Sequence, residues 1–255
     1  MTGTSVKQDF FILTAPRSGS TVLVQTLDKH PQIFCAGELF HHSNNIHHPE
    51  WHYPFWGVKK KKGFSGLTFS GVNYIKGYYA GVAHLKKFYA SRNEKDVRGF
   101  KLMIRHVKDF PTVWKYLDSN HFKMIVLVRN NSFKGALSSL RARQIGIFHT
   151  KTDLQLAEKK VQINGALLRK RVDELEKVKA KILRLSEGKN SSVVGYEDFE
   201  NWQQMLDKIF DFLNVENLHM PPELAKTSKA DWREGVKNYK EIEDVMKEKY
   251  AHYIY

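Results

Sequence analysis

The sequence predicts an α/β chain of three layers, a central parallel sheet flanked by helices on both faces. Two observations carry this. Short apolar runs alternate with helix-period segments, and the first apolar run passes through a Gly/Ser turn straight into a helix. A third is size: 255 residues, 42% hydrophobic and 13% aromatic, suit one core with a modest insertion, so a single domain spanning 1–255 is expected.

The elements follow in chain order. Residues 10–15 read as a buried strand, 16–19 as a turn, and 20–30 as a helix whose Val22, Leu23 and Leu27 share one side. Further strands are expected at 32–36, 97–103, 122–128 and 192–195, with helices near 107–118, 132–144, 153–186 and 198–213. The longest of these rests on Leu154, Val161, Ala166, Leu168, Val172, Leu175, Val178, Ile182 and Leu185, which recur at helical spacing among dense Lys, Arg and Glu. Between about 39 and 96, glycines, aromatics and histidines interrupt the pattern. That stretch reads as an insertion or lid capping the site, with a helix around 74–91.

Charge narrows the partners. Lys plus Arg number 41 against 27 Asp plus Glu, a formal +14 that would attract nucleic acid, anionic lipid or a polyphosphorylated ligand. No nucleic-acid recognition motif accompanies it, so no nucleic-acid partner is expected. Cys35 is the one cysteine, which excludes an internal disulfide and favours a reducing compartment. The apolar run at 10–15 is too short for a signal-peptide core or a membrane span, and no later run is long enough to span. A cytoplasmic protein is expected.

The chemistry begins at Thr14-Ala15-Pro16-Arg17-Ser18-Gly19-Ser20-Thr21. This octet stands where a GxxxxGK[ST] loop would, with Thr14 in place of the first glycine and Ser20 in place of the lysine, so the chain is P-loop-like. Gly19 permits close backbone approach, and the amides of Ser18 to Thr21 point at an anion at the helix start. Arg17 restores the lost cation from a different position. Where a nucleotide hydrolase would end a strand in a magnesium-holding Asp, this chain reads Arg129-Asn130-Asn131. A donor that needs no metal is therefore preferred, with a P-loop kinase of a small metabolite as the alternative.

The segment APRSGST, residues 15–21, resembles the 5′-phosphosulfate loop of the sulfotransferase superfamily. A second segment, MIVLVRNNSFKGALSSLRARQIG, resembles the family's 3′-phosphate segment, in which an arginine ends a strand and a serine lies on the next helix. Leu140 to Gly146, Gly99-Phe100-Lys101-Leu102-Met103 and Gly195-Tyr196-Glu197-Asp198-Phe199 are similar to bacterial carbohydrate sulfotransferases of nodulation-factor or trehalose type. The resemblance implies transfer of a sulfuryl group from 3′-phosphoadenosine 5′-phosphosulfate (PAPS) to a hydroxyl acceptor, a carbohydrate or glycolipid, without a metal. It assigns the 5′-phosphosulfate to Arg17, Ser18, Gly19, Ser20 and Thr21, with Arg17 neutralising the leaving oxygen. It assigns the 3′-phosphate to Arg129 and Ser138, the family spacing suiting Ser138 better than Ser139. Lys229 and Arg233 fall where family members bring a basic segment over the donor, although the Arg-Lys-Gly segment of cytosolic animal enzymes is missing.

In-line transfer also needs a group to take the acceptor proton. Glu38 is the first candidate, just past the second strand's carboxyl end and facing the same crevice as the loop. Relatives of the carbohydrate type place a glutamate there, and His41 or His42 is the alternative. His41 and Lys101 are candidate substrate contacts. His41, His42, His47, His48 and His52 cluster in sequence, but without cysteines or an HExxH pattern no metal is expected. Trp51, Tyr53, Phe55 and Trp56 suit either stacking on a sugar or packing as a lid, and Lys59 to Lys62 either an acidic glycan or solvent.

Overall fold

The computed structural model describes residues 9–41, 47–54, 58–60, 67–69, 72–91, 95–145, 159–222 and 231–254. The strands are β1 (Phe10–Thr14), β2 (Ile33–Ala36), β3 (Val58–Lys60), β4 (Leu67–Phe69), β5 (Val97–Met103), β6 (Lys123–Val128) and β7 (Ser191–Gly195). The helices described are α1 (Ser20–Lys29), α2 (Val72–Ala90), α3 (Ile104–Asp109), α4 (Pro111–Ser119), α5 (Ser132–Ile145), α6 (Gly165–Ser186), α7 (Trp202–Leu213) and α8 (Tyr239–Ile254).

Five strands form one parallel sheet in the order β2-β5-β1-β6-β7. The two-residue alternation of β1 divides the cores. Phe11 and Leu13 face a layer containing Leu85 and Phe88 of α2, Val113 and Leu117 of α4, and Ile182 of α6. Phe10 and Ile12 face Leu23 and Leu27 of α1 and Leu206, Ile209 and Phe210 of α7. Every residue of β1 is buried, as a parallel strand covered on both faces requires. At about 1.5–3 kcal/mol per fully buried large apolar side chain, these two faces are the main source of stability. Gly99 has a packing reason, since a Cβ there would lie 2.3 Å from the ring of Phe10, its partner in register on β1.

A third cluster lies off the sheet, where Phe133 and Leu137 of α5, Leu168 and Val172 of α6, and Ile242 and Met246 of α8 pack with Trp232 and Val236. It explains a departure from the predicted 153–186 helix, of which 153–158 lie outside the described residues. From 159 the chain is not helical until Gly165, whose helix is capped by the Asn164 side chain accepting from Leu167 N–H, and Val161 ahead of it pairs with Val236 in an isolated parallel bridge. Val161 and Ile163 keep an apolar pattern because they serve that strap. The expected helix at 107–118 is two helices that meet at Phe110-Pro111, proline at the first helical position starting the second. The expected helix at 198–213 begins as a 3-10 turn over Tyr196–Asn201 before α7. Within the insertion, α2 matches the expected helix and the β3-β4 antiparallel hairpin was not predicted.

Candidate active site

β1 lies between β5 and β6, so the strand order reverses around it and the crevice beyond its carboxyl end is open to the loop that follows. The loop is fastened from below by hydroxyls. Thr14 Oγ1 donates to Leu127 O of β6 at 2.8 Å, while Ser18 Oγ lies 2.5 Å from Thr14 Oγ1 and 2.8 Å from Ala15 O. Thr14, the residue in place of the first loop glycine, thus joins the loop to its neighbouring strand. Ser18 turns its hydroxyl into the loop, so its backbone is what it can offer a ligand.

Two residues of the turn take positive φ, Arg17 at 66° and Gly19 at 80°. At Gly19 the conformation and the surroundings both exclude a side chain, because a Cβ would lie 2.7 Å from Phe199 Cε2 and 2.8 Å from Tyr196 Cδ2. Ser20 and Thr21 open α1, whose first turn carries no acidic residue, so the positive end of the helix keeps its field. The α5 start on the same edge is different. Glu197 accepts from Asn130 N at 2.9 Å and Asn131 N at 3.0 Å, which places a carboxylate at the entry to α5.

The second arginine meets the first. Arg129 follows β6 directly, and its Nη1 donates to Arg17 O at 3.3 Å while its guanidinium lies over the Tyr196 ring at 4.3 Å. Arg17 in turn donates to Ser138 Oγ of α5 from Nε at 3.3 Å and Nη2 at 3.1 Å. Loop, strand end and helix therefore converge, with Ser138 rather than Ser139 facing Arg17. Burial pulls both guanidiniums below the ordinary arginine range. Tyr196 opposes this at each, Glu197 also does so at Arg129, and Arg17 itself adds to the lowering at Arg129. Two partly desolvated cations beside a helix start make a site for an anion.

Glu38 stands on the other side of β5 from β1. The β2–β5 pairing extends to Lys101 N donating to Gly37 O at 3.1 Å, and the Lys101 side chain meets Glu38 Oε1 at 3.1 Å. Arg105 Nη2 lies 3.5 Å from Glu38 Oε2. The carboxylate is thus held between two cations, Lys101 largely buried and Arg105 exposed. His41 follows in a turn, its N–H donating to Glu38 O at 3.3 Å, and His52 Nε2 donates to His41 O at 2.6 Å.

Other expectations divide. Arg233 is not drawn to the loop by any contact described; it is ion-paired to Glu243 at 2.6 Å and Asp231 at 3.3 Å. Lys229, His42, Phe55, Trp56, Lys61 and Lys62 lie outside the described residues. Tyr53 is buried against Phe40 and Phe110, and Trp51 packs on Phe88 and Arg98, so these two rings belong to the core layer that contains Phe11 and Leu13. Tyr196, Glu197 and Arg105 join the site without having been named for it. The GYEDF segment was the available signal for the first two, while Arg105 follows its strand with no motif.

The sequence matches no curated protein at a significant level. Among solved structures it is similar to a sulfotransferase from Alicyclobacillus acidocaldarius, at 16% identity over 96% of this chain and 95% of that one, with a TM-score of 0.49. It is also similar to a sulfotransferase domain from the curacin biosynthetic pathway, at 18% identity over 89% and 82% of the two chains and a TM-score of 0.45. Mouse sulfotransferase SULT7A1 complexed with PAP shares 14% identity over 84% and 62%, with a TM-score of 0.42. The family model described as "Sulfotransferase family" matches residues 9–219, and the chain belongs to that family.

Proposed function

We propose that this sulfotransferase takes its sulfuryl group from PAPS and delivers it to a hydroxyl of a carbohydrate or glycolipid acceptor, releasing 3′-phosphoadenosine 5′-phosphate. The observation that carries the reading is the convergence of Arg17, Arg129 and Ser138 around one helix start. The residues fit the donor's chemistry. Gly19 lets the turn take its left-handed conformation against Phe199 and Tyr196, and the α1 entry lacks an acidic residue. On this reading the amides from Ser18 to Thr21 and Arg17 hold the 5′-phosphosulfate, while Arg129 and Ser138 hold the 3′-phosphate.

Glu38 then takes the proton of the acceptor hydroxyl as its oxygen bonds to sulfur and the bond to the 5′-phosphate oxygen breaks. Arg17 neutralises the charge appearing on that departing oxygen. Lys101, next to Glu38, keeps the carboxylate oriented and faces the developing charge on the sulfuryl oxygens. His41 belongs on the acceptor side, with residues 39–96 as a lid on one catalytic unit. Lys229 and Arg233 are assigned to closure over the bound nucleotide, which for Arg233 requires exchanging Glu243 for a phosphate.

The test is transfer of label from radiolabelled PAPS to a panel of hydroxyl acceptors in the presence of a magnesium chelator, with calorimetry of 3′-phosphoadenosine 5′-phosphate beside it. Saturable binding and metal-independent transfer are expected. Failure to bind the bisphosphate would overturn the donor, and transfer confined to non-sugar acceptors would overturn the acceptor class.

A further inference from the structure

The insertion that follows Glu38 touches the first helix at a polar point. Asp28, near the end of α1, directs Oδ2 at two imidazoles, His47 Nε2 at 2.8 Å and His48 Nε2 at 3.0 Å. The three ligand-type atoms lie within 4.8 Å of one another, the one such group of three His, Cys, Asp or Glu found among the described residues. Two further contacts support the trio from outside. Asp28 Oδ1 accepts the Cys35 N–H at 2.9 Å, which fixes the carboxylate, and His48 Nδ1 lies 3.1 Å from Glu50 Oε1. A histidine with one ring nitrogen on a carboxylate and the other turned to a shared centre is the arrangement that orients metal-bound imidazoles.

We propose that Asp28, His47 and His48 form a site for a divalent transition metal of the zinc class, which staples the insertion to α1. Two imidazole nitrogens and one carboxylate oxygen suit Zn²⁺, with water as a fourth ligand, whereas Mg²⁺ and Ca²⁺ prefer oxygen throughout. With ligand bonds of roughly 2.0–2.1 Å, tetrahedral donors stand about 3.4 Å apart. The two Asp28 contacts would open by about half an ångström as the metal enters between them. The Nε2 proton of each contact goes to solvent as the metal takes its place, and His48 keeps its Nδ1 proton, donated to Glu50. The sequence hides this site because its carboxylate precedes the histidines by 19 and 20 residues and belongs to another element. The staple holds the insertion rather than reacting, so its presence is independent of the proposed transfer chemistry.

The experiment uses untagged full-length protein freed of metal by chelator, titrated with ZnCl₂ in a calorimeter and separately with CoCl₂ while the visible spectrum is recorded. One equivalent of Zn²⁺ and Co²⁺ bands of tetrahedral intensity are expected, with no competition from excess Mg²⁺. The His47→Ala/His48→Ala variant should lose that equivalent and His252→Ala should keep it. Glu50→Gln, at an exposed position that should not disturb folding, should weaken Zn²⁺ binding about tenfold. No binding, equal competition by Mg²⁺, or an equivalent retained by the double variant would each overturn the site and leave an Asp–His ion pair.

Discussion

Arg17 and Ser138 touch across 121 residues of chain, Nε and Nη2 of the one lying 3.3 and 3.1 Å from the hydroxyl of the other. A neutral hydroxyl positions a guanidinium without neutralising it. The contact therefore aims a charge, and the Arg129 bond to Arg17 O secures the backbone from which that charge is aimed.

Removing either arginine should weaken binding of 3′-phosphoadenosine 5′-phosphate. A hydrogen bond to a charged group contributes about 1.5–3 kcal/mol, so Arg17→Ala and Arg129→Ala should each cost roughly 10- to 150-fold in affinity by calorimetry. The wild-type protein at about 100 times the dissociation constant should gain about 2.7 kcal/mol of stability, which a thermal melt would read. An unchanged affinity in both variants would remove the pair from the donor site.

Glu38→Gln separates binding from chemistry. Loss of a general base should lower turnover by about 10²- to 10⁴-fold while the affinity for the bisphosphate stays within a factor of a few. Single-turnover rates with labelled PAPS check the first part. Full turnover in the variant would move the role to His41 or a neighbour.

Gly19→Ala should damage both fold and site. Left-handed backbone costs a non-glycine residue about 1–2 kcal/mol, and the new Cβ would press on Phe199 and Tyr196. A lower urea midpoint together with lost bisphosphate binding is expected; a variant as stable as wild type would show that the turn adopts another conformation.

Acid should weaken the fold through His30. This buried ring uses Nε2 to donate to Glu216 O at 2.9 Å and Nδ1 to accept from Gln32 N at 3.1 Å, an arrangement open only to the neutral form. Burial accordingly lowers its pKa below the ordinary 6.5. The unfolded chain then binds the proton more readily than the folded one, so the contribution is intact above pH 6.5 and shrinks as pH falls from there toward the depressed value. Urea midpoints at pH 7.5 and 5.5 should differ more in the wild type than in His30→Gln.

The loop and its helix were legible because everything that shapes them is local: the apolar run, the Gly/Ser turn and the helical period adjoin one another. The same holds for Arg129 at a strand end. What the sequence concealed depends on distant partners. Glu197 at the α5 entry, Lys101 beside Glu38 and the Val161 strap are made by residues far apart, and apolar spacing continued through Val161 although the helix does not. Trp51 and Tyr53 read equally well as a binding platform or as core, and only packing decides between them.

Helix α8 reaches the residues after Arg129. Lys179 Nζ bonds both Asn130 O and the Tyr253 hydroxyl at 3.0 Å, and Asn131 Nδ2 donates to Tyr253 O at 3.0 Å. During synthesis, β1, α1 and β6 can assemble long before Tyr253 leaves the ribosome. The nascent chain thus completes the support of its arginine corner only once α8 has been made, and a translation product halted before α8 would keep the sheet while lacking that brace.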